Sequence, residues 1–391
     1  MEDVVIVSGV RTAIGTFGGA FSETPASELG GHAIRAAVER AGIKPEQVDQ
    51  VILGCVGQVA EDGYIARTAS IKGGMPVGVP AYTVNRICGS GLEAINTAAR
   101  WIQTGDADVV VAGGAENMSM MPYYVRKARY GYRYGDGALE DGTLDLVTDP
   151  FENYSMGVTA ENLAERYEVS RGLQDEYALR SQERAKAAIE AGRFVDQIVP
   201  MEVRKGRDTI VVDKDEHPRS TSMDVLGKLR PAFKDGGSVT AGNSSGINDG
   251  AAALVVMSGT KAAELGLKPR MRLVARAEAG VEWQVMGSGP IPAIQNVLKK
   301  ANMSVNDMDV IELNEAFASV AAACSVALDL PQDKTNPNGG AIALGHPVGA
   351  SGAILTVKLM HELERTGGRY GLVSLCIGGG QGIASIFERV S

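Results

Sequence analysis

Apolar and polar positions alternate between two patterns along much of the chain. Continuous apolar runs predict strands buried on both faces, and segments with apolar side chains at helical spacing predict helices between them. Strands that alternate with helices favour an α/β fold with mostly parallel strands. The predicted strands of the first part are residues 4–8, 51–54 and 109–114, and the predicted helices are residues 27–42 and 90–102.

The first predicted helix shows how the pattern indicates burial. Leu29, Ile34, Ala37 and Val38 recur at helical spacing and are expected to face the core. Ser27 stands at the start of this segment, and its hydroxyl is expected to cap the helix.

A long middle segment interrupts the alternation of strands and helices. Residues 118–247 are rich in Tyr, Met, Asp and Arg, with one helical stretch at 174–191, and the strand pattern resumes at 251–256 and 272–274. We therefore expect an inserted loop domain. The predicted division is residues 1–117 with 248–269 as an N-terminal half, 118–247 as the insertion and 270–391 as a C-terminal half.

The two halves contain similar segments in the same order. Residues 48–53 (VDQVIL) resemble 308–313 (MDVIEL), and residues 89–95 (GSGLEAI) resemble 350–355 (ASGAIL) at almost the same distance along the chain. A glycine-ended strand follows in each half. The pattern indicates an internal duplication, although any α/β protein repeats strand–turn–helix units.

Composition excludes several classes of protein. The chain has 391 residues, a net charge of -9 and 49 glycines in tight clusters. An acidic chain is a poor partner for nucleic acid, and no apolar run is long enough to predict a membrane span. The four cysteines lack paired spacing, so we expect free thiols, a reducing compartment and a cytoplasmic location.

Cys88 is the first residue that points to chemistry. It lies in the glycine-flanked segment 85–91 (NRICGSG), between an apolar strand and a helix. Backbone N–H groups and the helix dipole stabilise a thiolate at such a position. The alternative is a buried structural cysteine, which is the interpretation we adopt for Cys55 and Cys324 inside apolar stretches.

Three further residues occupy similar positions in the second half. His346 lies in the glycine-rich turn 345–352 (GHPVGASG) that enters a helix, where it could take a proton from a nearby cysteine or simply cap the helix. Cys376 ends a buried strand before a run of glycines whose N–H groups could bind an oxyanion. Asn314 also follows a buried strand, where it could position a water. No catalytic role is expected for His32, His217 or His361, which are predicted to lie on helical or loop surfaces.

Together, these segments resemble the thiolase family from end to end and in the right order. The matching segments are residues 11–19 (RTAIGTFGG), 85–91, 240–250 (TAGNSSGINDG), 314–318 (NEAFA), 339–347 (GGAIALGHP) and 376–380 (CIGGG). The resemblance implies a five-layered αβαβα fold, made of two duplicated halves with a loop domain inserted in the first. It also implies an acetyl-CoA C-acetyltransferase of the short-chain type, with acetyl-CoA, acetoacetyl-CoA and CoA as its partners and no cofactor or metal.

The same resemblance assigns roles to individual residues. Cys88 would be acylated by a thioester while His346 takes its proton, and Cys376 would deprotonate the second acetyl-CoA for a Claisen condensation. Asn314 would hold a water at one oxyanion. The backbone N–H groups of Cys88 and Gly378 would bind the other, which gives the glycine clusters a reason because donors must lie close to the developing charge.

The resemblance extends, residue by residue, to the binding of CoA. Ser245 matches a position at the pantetheine arm, and Arg219 matches one near the adenine nucleotide. Ser155 departs from the family pattern, because short-chain members often carry histidine there. Residues 123–135, with four basic side chains, resemble a loop that joins dimers into a homotetramer, or are simply a solvated basic loop. The positions that match the acyl and pantetheine pocket are Met156, Phe233, Met286, Ala316 and Phe317.

Three other functions compete with this interpretation. A thiolase of fatty-acid β-oxidation would act on longer 3-ketoacyl chains. A decarboxylating ketoacyl synthase would carry a second histidine where Asn314 stands and would lack the Cys376 base. A non-catalytic scaffold subunit would not need Cys88, His346 and Cys376 together.

Overall fold

The structure is a computed structural model that describes residues 2–390. Fourteen strands and twelve α-helices are assigned within that range. The strands are β1 (Val4–Arg11), β2 (Gly15–Thr16), β3 (Gln50–Gly54), β4 (Ala81–Val84), β5 (Val109–Asn117), β6 (Tyr123–Tyr124), β7 (Glu140–Asp141), β8 (Met201–Lys205), β9 (Asp208–Val212), β10 (Asn248–Ser258), β11 (Met271–Gly280), β12 (Val310–Leu313), β13 (Tyr370–Ile377) and β14 (Gln381–Arg389). The helices are α1 (Ala26–Ala41), α2 (Ile65–Lys72), α3 (Ser90–Thr104), α4 (Gly142–Leu146), α5 (Met156–Arg166), α6 (Arg171–Glu190), α7 (Met223–Gly227), α8 (Gly259–Glu264), α9 (Pro290–Ala301), α10 (Ala318–Leu328), α11 (Ala341–Leu344) and α12 (Ser351–Thr366).

The large sheet consists of two half-sheets with the same strand order. Its path is β12-β13-β14-β11-β1-β10-β5-β3-β4, with β2 paired to β10. The half-sheets meet between β1 and β11, where only Val5 with Arg272 and Ile6 with Met271 are paired. On either side of this junction the strands of one half correspond in order to those of the other, which agrees with the duplication predicted from the sequence.

Helices form three layers around the two half-sheets, giving the expected αβαβα arrangement. The central layer is α3 and α12, which pack on each other and contact strands of both halves. Helix α1 covers the outer face of the first half-sheet with α2 beside it, and α9 covers the outer face of the second, where α10 packs on it.

Two glycines allow the central helices to approach closely. A Cβ on Gly91 would lie 2.7 Å from the backbone nitrogen of Ala353, and one on Gly352 would lie 2.4 Å from that of Leu92. Such distances are below van der Waals contact, so only glycine permits this crossing. The contact holds the N-terminal ends of α3 and α12 side by side, together with the turns that carry Cys88 and His346.

Two expectations about local structure are wrong. The strands are not mostly parallel: only β3–β4, β3–β5 and β12–β13 pair in parallel, and the other pairs of the large sheet are antiparallel. The apolar pattern does not predict strand direction. Strand β14 is antiparallel to β13 because a tight glycine turn connects them, and β10 pairs antiparallel with β5 after the long segment 118–247. Ser27 does not cap α1, whose N-cap is Pro25 without a side-chain bond; the Ser27 hydroxyl instead accepts a hydrogen bond from Lys72 Nζ at 3.1 Å.

The burial predicted for the first helix is confirmed, because Leu29, Ile34, Ala37 and Val38 are all in the core. Residues 118–247 hold the short strands β6–β9, the short helices α4 and α7, and the longer helices α5 and α6. Among residues 2–390, no helix has both the length and the hydropathy needed to cross a membrane.

Candidate active site

The turn that carries Cys88 is held by hydrogen bonds to its own backbone. Ile87 has a φ of +45°, which is unfavourable for a β-branched residue. The Asn85 side chain accepts from Ile87 N at 3.0 Å, and the Ser90 hydroxyl accepts from Arg86 N at 2.8 Å while donating to Ile87 O at 2.6 Å. These bonds hold a strained conformation just before the start of α3, a feature often found at functional sites.

The resting state of the Cys88 thiol differs from the sequence expectation. Burial raises the pKa of Cys88 to about 11, although the backbone N–H groups of Gly378 and of Cys88 itself act in the opposite direction. Desolvation therefore outweighs the helix N-terminus, and the thiol is neutral near pH 7. A proton acceptor has to be supplied at the moment when the sulfur reacts.

His346 can supply that acceptor. Its backbone N–H donates to Asn248 Oδ1 at 2.9 Å, and its ring Nδ1 lies 2.6 Å from the Ser351 hydroxyl. That hydroxyl lies 2.9 Å from Pro347 O, and with its single hydrogen assigned to that bond, Nδ1 carries the ring proton and donates to Ser351. The unprotonated nitrogen is then Nε2. Burial lowers the pKa of His346 to about 4, so the imidazole is neutral near pH 7.

Asn314 faces this free ring nitrogen. Its side-chain Nδ2 lies 3.4 Å from His346 Nε2, a contact in which the amide is the donor. Its backbone N–H donates to Ser374 O at 2.9 Å, which ties the residue to the end of β13. Its Oδ1 is buried and has no partner among the described residues, and such an atom is suited to binding a water or substrate group.

Cys376 lies near the end of β13 and is fully buried. Burial raises the pKa of Cys376 well above its usual value, and the Cys88 sulfur adds to the effect. The two thiols are therefore within electrostatic reach of each other. Cys376 does not line the open cleft, however, and stands two residues before Gly378, which does.

An apolar cleft opens above Cys88 and brings most of the predicted residues together. Its volume is about 130 Å³, and its walls include Cys88, His346 and Gly378. Among the residues assigned to CoA and acyl binding, those that line it are Ser245, Met156, Phe233, Ala316, Phe317 and Met286.

Local contacts fix the cleft walls. The rings of Phe233 and Phe317 meet edge to face at 6.0 Å, and Ser245 N donates to Ala316 O at 2.9 Å. Ser155, which also lines the cleft, caps helix α5 by accepting from Gly157 N at 3.2 Å. Its hydroxyl is thus engaged in holding the helix.

Arg219 lies outside this cleft. It is exposed, borders a separate cavity with residues of α6, and donates from Nη2 to Ala241 O at 2.7 Å. The structure therefore does not bring Arg219 together with Cys88.

Several supporting residues were missed by sequence reasoning. Ser351 and Asn248 hold His346. Asn248 stands inside the matching segment 240–250, and Ser351 stands inside the glycine-rich turn 345–352. Glu116 is fully buried and accepts from the backbone N–H groups of Val56, Gly57 and Gly349 at 2.8–2.9 Å. It thereby links the loop after β3 to the turn that carries His346. The sequence could have drawn attention to Glu116 because this carboxylate stands at the end of an apolar strand.

The residues predicted to be structural differ in their surroundings. Cys55 and Cys324 are buried, as expected, and all four cysteines are free. His32 and His361 are half-buried on helices. His217 is also half-buried rather than on a loop surface, and its Nδ1 lies 3.4 Å from Asn248 Nδ2.

The chain was compared with known protein families and proteins. A model described as "Thiolase, N-terminal domain" matches residues 4–260, and "Thiolase, C-terminal domain" matches residues 267–389. The beta-ketothiolase BktB of Cupriavidus necator is 53% identical over 393 residues, with 100% of both chains covered.

Solved structures agree in fold over the whole chain. The acetyl-CoA acetyltransferase of Bacillus anthracis superposes with a TM-score of 0.98 at 48% identity, covering 100% of this chain and 99% of that one. Human mitochondrial 3-ketoacyl-CoA thiolase in complex with CoA gives a TM-score of 0.96 at 44% identity, with 100% and 98% covered.

Proposed function

The chain belongs to the thiolase family, and from this premise we propose that it is an acetyl-CoA C-acetyltransferase that condenses two acetyl-CoA into acetoacetyl-CoA and CoA and catalyses the reverse thiolysis. The observation that carries the proposal is the convergence of Cys88, His346 and Gly378 on one apolar cleft.

The first half-reaction is acylation of Cys88. Its Sγ attacks the thioester carbonyl while His346 Nε2 accepts the thiol proton, for which the neutral tautomer described above is suited. The oxyanion receives hydrogen bonds from the N–H groups of Cys88 and Gly378, which already face the sulfur. As the C–S bond to CoA breaks, His346 returns the proton to the CoA sulfur.

The second half-reaction forms the carbon–carbon bond. The Cys376 thiol first gives its proton to His346, and the resulting thiolate takes a proton from the methyl carbon of a second acetyl-CoA, whose enolate oxygen is stabilised beside His346 and Asn314. The carbanion then attacks the acyl carbon on Cys88, the bond to Cys88 breaks with its electron pair on sulfur, and acetoacetyl-CoA leaves. The Cys88 thiolate takes the proton held on His346, which restores both thiols.

The proposal extends to binding, assembly and location. Ser245, Met156, Phe233, Met286, Ala316 and Phe317 hold the acyl group and pantetheine arm, and Arg219 lies near the nucleotide. The enzyme needs no cofactor or metal, acts in the cytoplasm away from nucleic acid and membranes, and forms a homotetramer through residues 123–135. Residues 1–117 with 248–269, 118–247 and 270–391 are its three domains.

Replacement of the nucleophile tests the proposal. We expect Cys88→Ser to lose nearly all thiolysis of acetoacetyl-CoA, with Cys55→Ser as a matched control because Cys55 is buried and does not line the cleft. Iodoacetamide should modify Cys88 first, and acetyl-CoA should protect it. Near wild-type turnover by Cys88→Ser, or unprotected labelling of all four cysteines, would contradict a covalent mechanism.

A further inference from the structure

A second cavity lies on the other side of one wall of the cleft. It has a volume of about 530 Å³, larger than the cleft itself, and Leu146 lines both spaces. No other residue is shared by their two linings. The side chain of Leu146 thus stands between the reaction site and a second space.

The lining of the second cavity is mixed, with apolar side chains beside Gln58, Tyr124 and two charged residues. Val56, Val59 and Met121 contribute to its walls. A Cβ placed on Gly57 would lie 2.7 Å from Met121 Sδ and 3.7 Å from Leu146 Cδ1, so these two side chains close the wall together. The charged side chains that border this cavity, Arg126 and Asp145, are exposed in the single chain and lie 3.6 Å apart, and Arg126 belongs to the segment 123–135 that is proposed to contact a partner subunit.

Leu146 is held in place at the end of a short helix. Asp141 caps helix α4 by accepting from Thr143 N at 2.8 Å. After the helix, Val147 O accepts from Met156 N at 2.8 Å, which fastens the segment to the start of α5. The backbone on both sides of Leu146 is therefore fixed, and the length of its side chain determines whether the two spaces join.

We propose that Leu146 sets the upper limit of acyl chain length, and that the second cavity is the space into which the distal carbons of a longer 3-ketoacyl chain pass once this side chain is shortened. The proposal rests on the proposed function. Met118, Leu146 and Val147 line the same cleft as Cys88, so an acyl group on Cys88 that extends along this part of the lining reaches Leu146. The occupant is a plain hydrocarbon chain, matching the apolar walls.

The experiment compares thiolysis of acetoacetyl-CoA and 3-ketooctanoyl-CoA by the full-length protein. In Leu146→Ala, we expect the ratio of kcat/KM for the longer over the shorter substrate to rise at least about tenfold, the gain from burying two or more methylenes. Leu146→Val, the milder variant, should raise the ratio for 3-ketohexanoyl-CoA by a smaller factor. Leu144→Ala is the matched control, because Leu144 lies on the same helix, is exposed and lines neither space.

A second substitution identifies the space that the chain enters. Val59 lines only the second cavity, so Val59→Trp added to Leu146→Ala should reverse most of the gain by filling it. An unchanged ratio in both Leu146 variants would overturn the proposal, as would a gain that Val59→Trp leaves intact. A wild-type protein that cleaves no 3-ketoacyl-CoA would instead refute the proposed function, so the two failures are distinct.

Discussion

Ser351 is predicted to act as a positioning residue through the tautomer of His346. Its hydroxyl accepts the Nδ1 proton at 2.6 Å, and both side chains are almost completely buried. Ser351→Ala leaves that N–H without its acceptor in an apolar surrounding, at a cost of about 1–3 kcal/mol. The ring can recover this energy by moving its proton to Nε2 once the Asn314 amide, whose Nδ2 faces that nitrogen, rotates to present its unpartnered Oδ1 as the acceptor.

The expected cost to catalysis follows from this change of tautomer. An Nε2–H imidazole cannot accept the Cys88 proton, so kcat should fall by about 10- to 100-fold, since each 1.4 kcal/mol corresponds to a factor of ten. Ser351→Thr keeps a hydroxyl at the same carbon and should restore most of the activity. The ring ¹⁵N shifts of His346, read by NMR, should exchange between the two nitrogens in Ser351→Ala but not in Ser351→Thr.

A Ser351→Ala variant with wild-type kcat and the wild-type ¹⁵N pattern would contradict a positioning role for Ser351. A loss of activity without a change of tautomer would also count against it, because a purely structural role predicts such a loss. Thermal unfolding of both variants gives the stability baseline for this comparison.

Two further predictions concern pH and stability. Because burial raises the pKa of Cys88 to about 11, its thiolate fraction grows about tenfold per pH unit below that value, and the rate of iodoacetamide labelling at Cys88 should rise steadily from pH 7 to pH 10. A plateau below pH 9 would mean that the thiol ionises more easily than its burial indicates. Lys358→Met removes the buried partner of Glu312, which lies 2.7 Å from Lys358 Nζ, and should lower the free energy of urea unfolding by about 3–5 kcal/mol. The double variant Lys358→Met with Glu312→Leu should recover most of that loss, and failure to do so would locate the effect in the bond from Lys358 to Gly339 O instead.

Much of the fold was predictable because its strands and helices are strongly patterned. The apolar runs at residues 4–8 and 109–114 lie within β1 and β5, and the helix predicted over 90–102 lies within α3. Strand direction was not predictable from the same pattern. Direction depends on connections such as the tight turn between β13 and β14, which apolar periodicity does not encode.

The candidate site was predictable as far as its motifs extend. Glycine-flanked turns drew attention to Cys88 and His346, and the close crossing at Gly91 and Gly352 explains why these turns lie side by side. The state of each group was not predictable, since burial rather than the helix N-terminus dominates the pKa of Cys88. Ser351 and Leu146 were missed because a hydroxyl and an aliphatic side chain become informative only when their neighbours are known.

The junction between the two half-sheets has a consequence for how activity appears during folding. Only two residue pairs join β1 to β11, while Cys88 comes from the first half and His346, Asn314 and Cys376 come from the second. A molecule in which one half has folded alone would already give much of the circular dichroism signal but would have no complete set of reacting groups. After dilution from denaturant, the recovery of enzyme activity should therefore report when the two halves dock. Activity should recover more slowly than the circular dichroism signal of secondary structure.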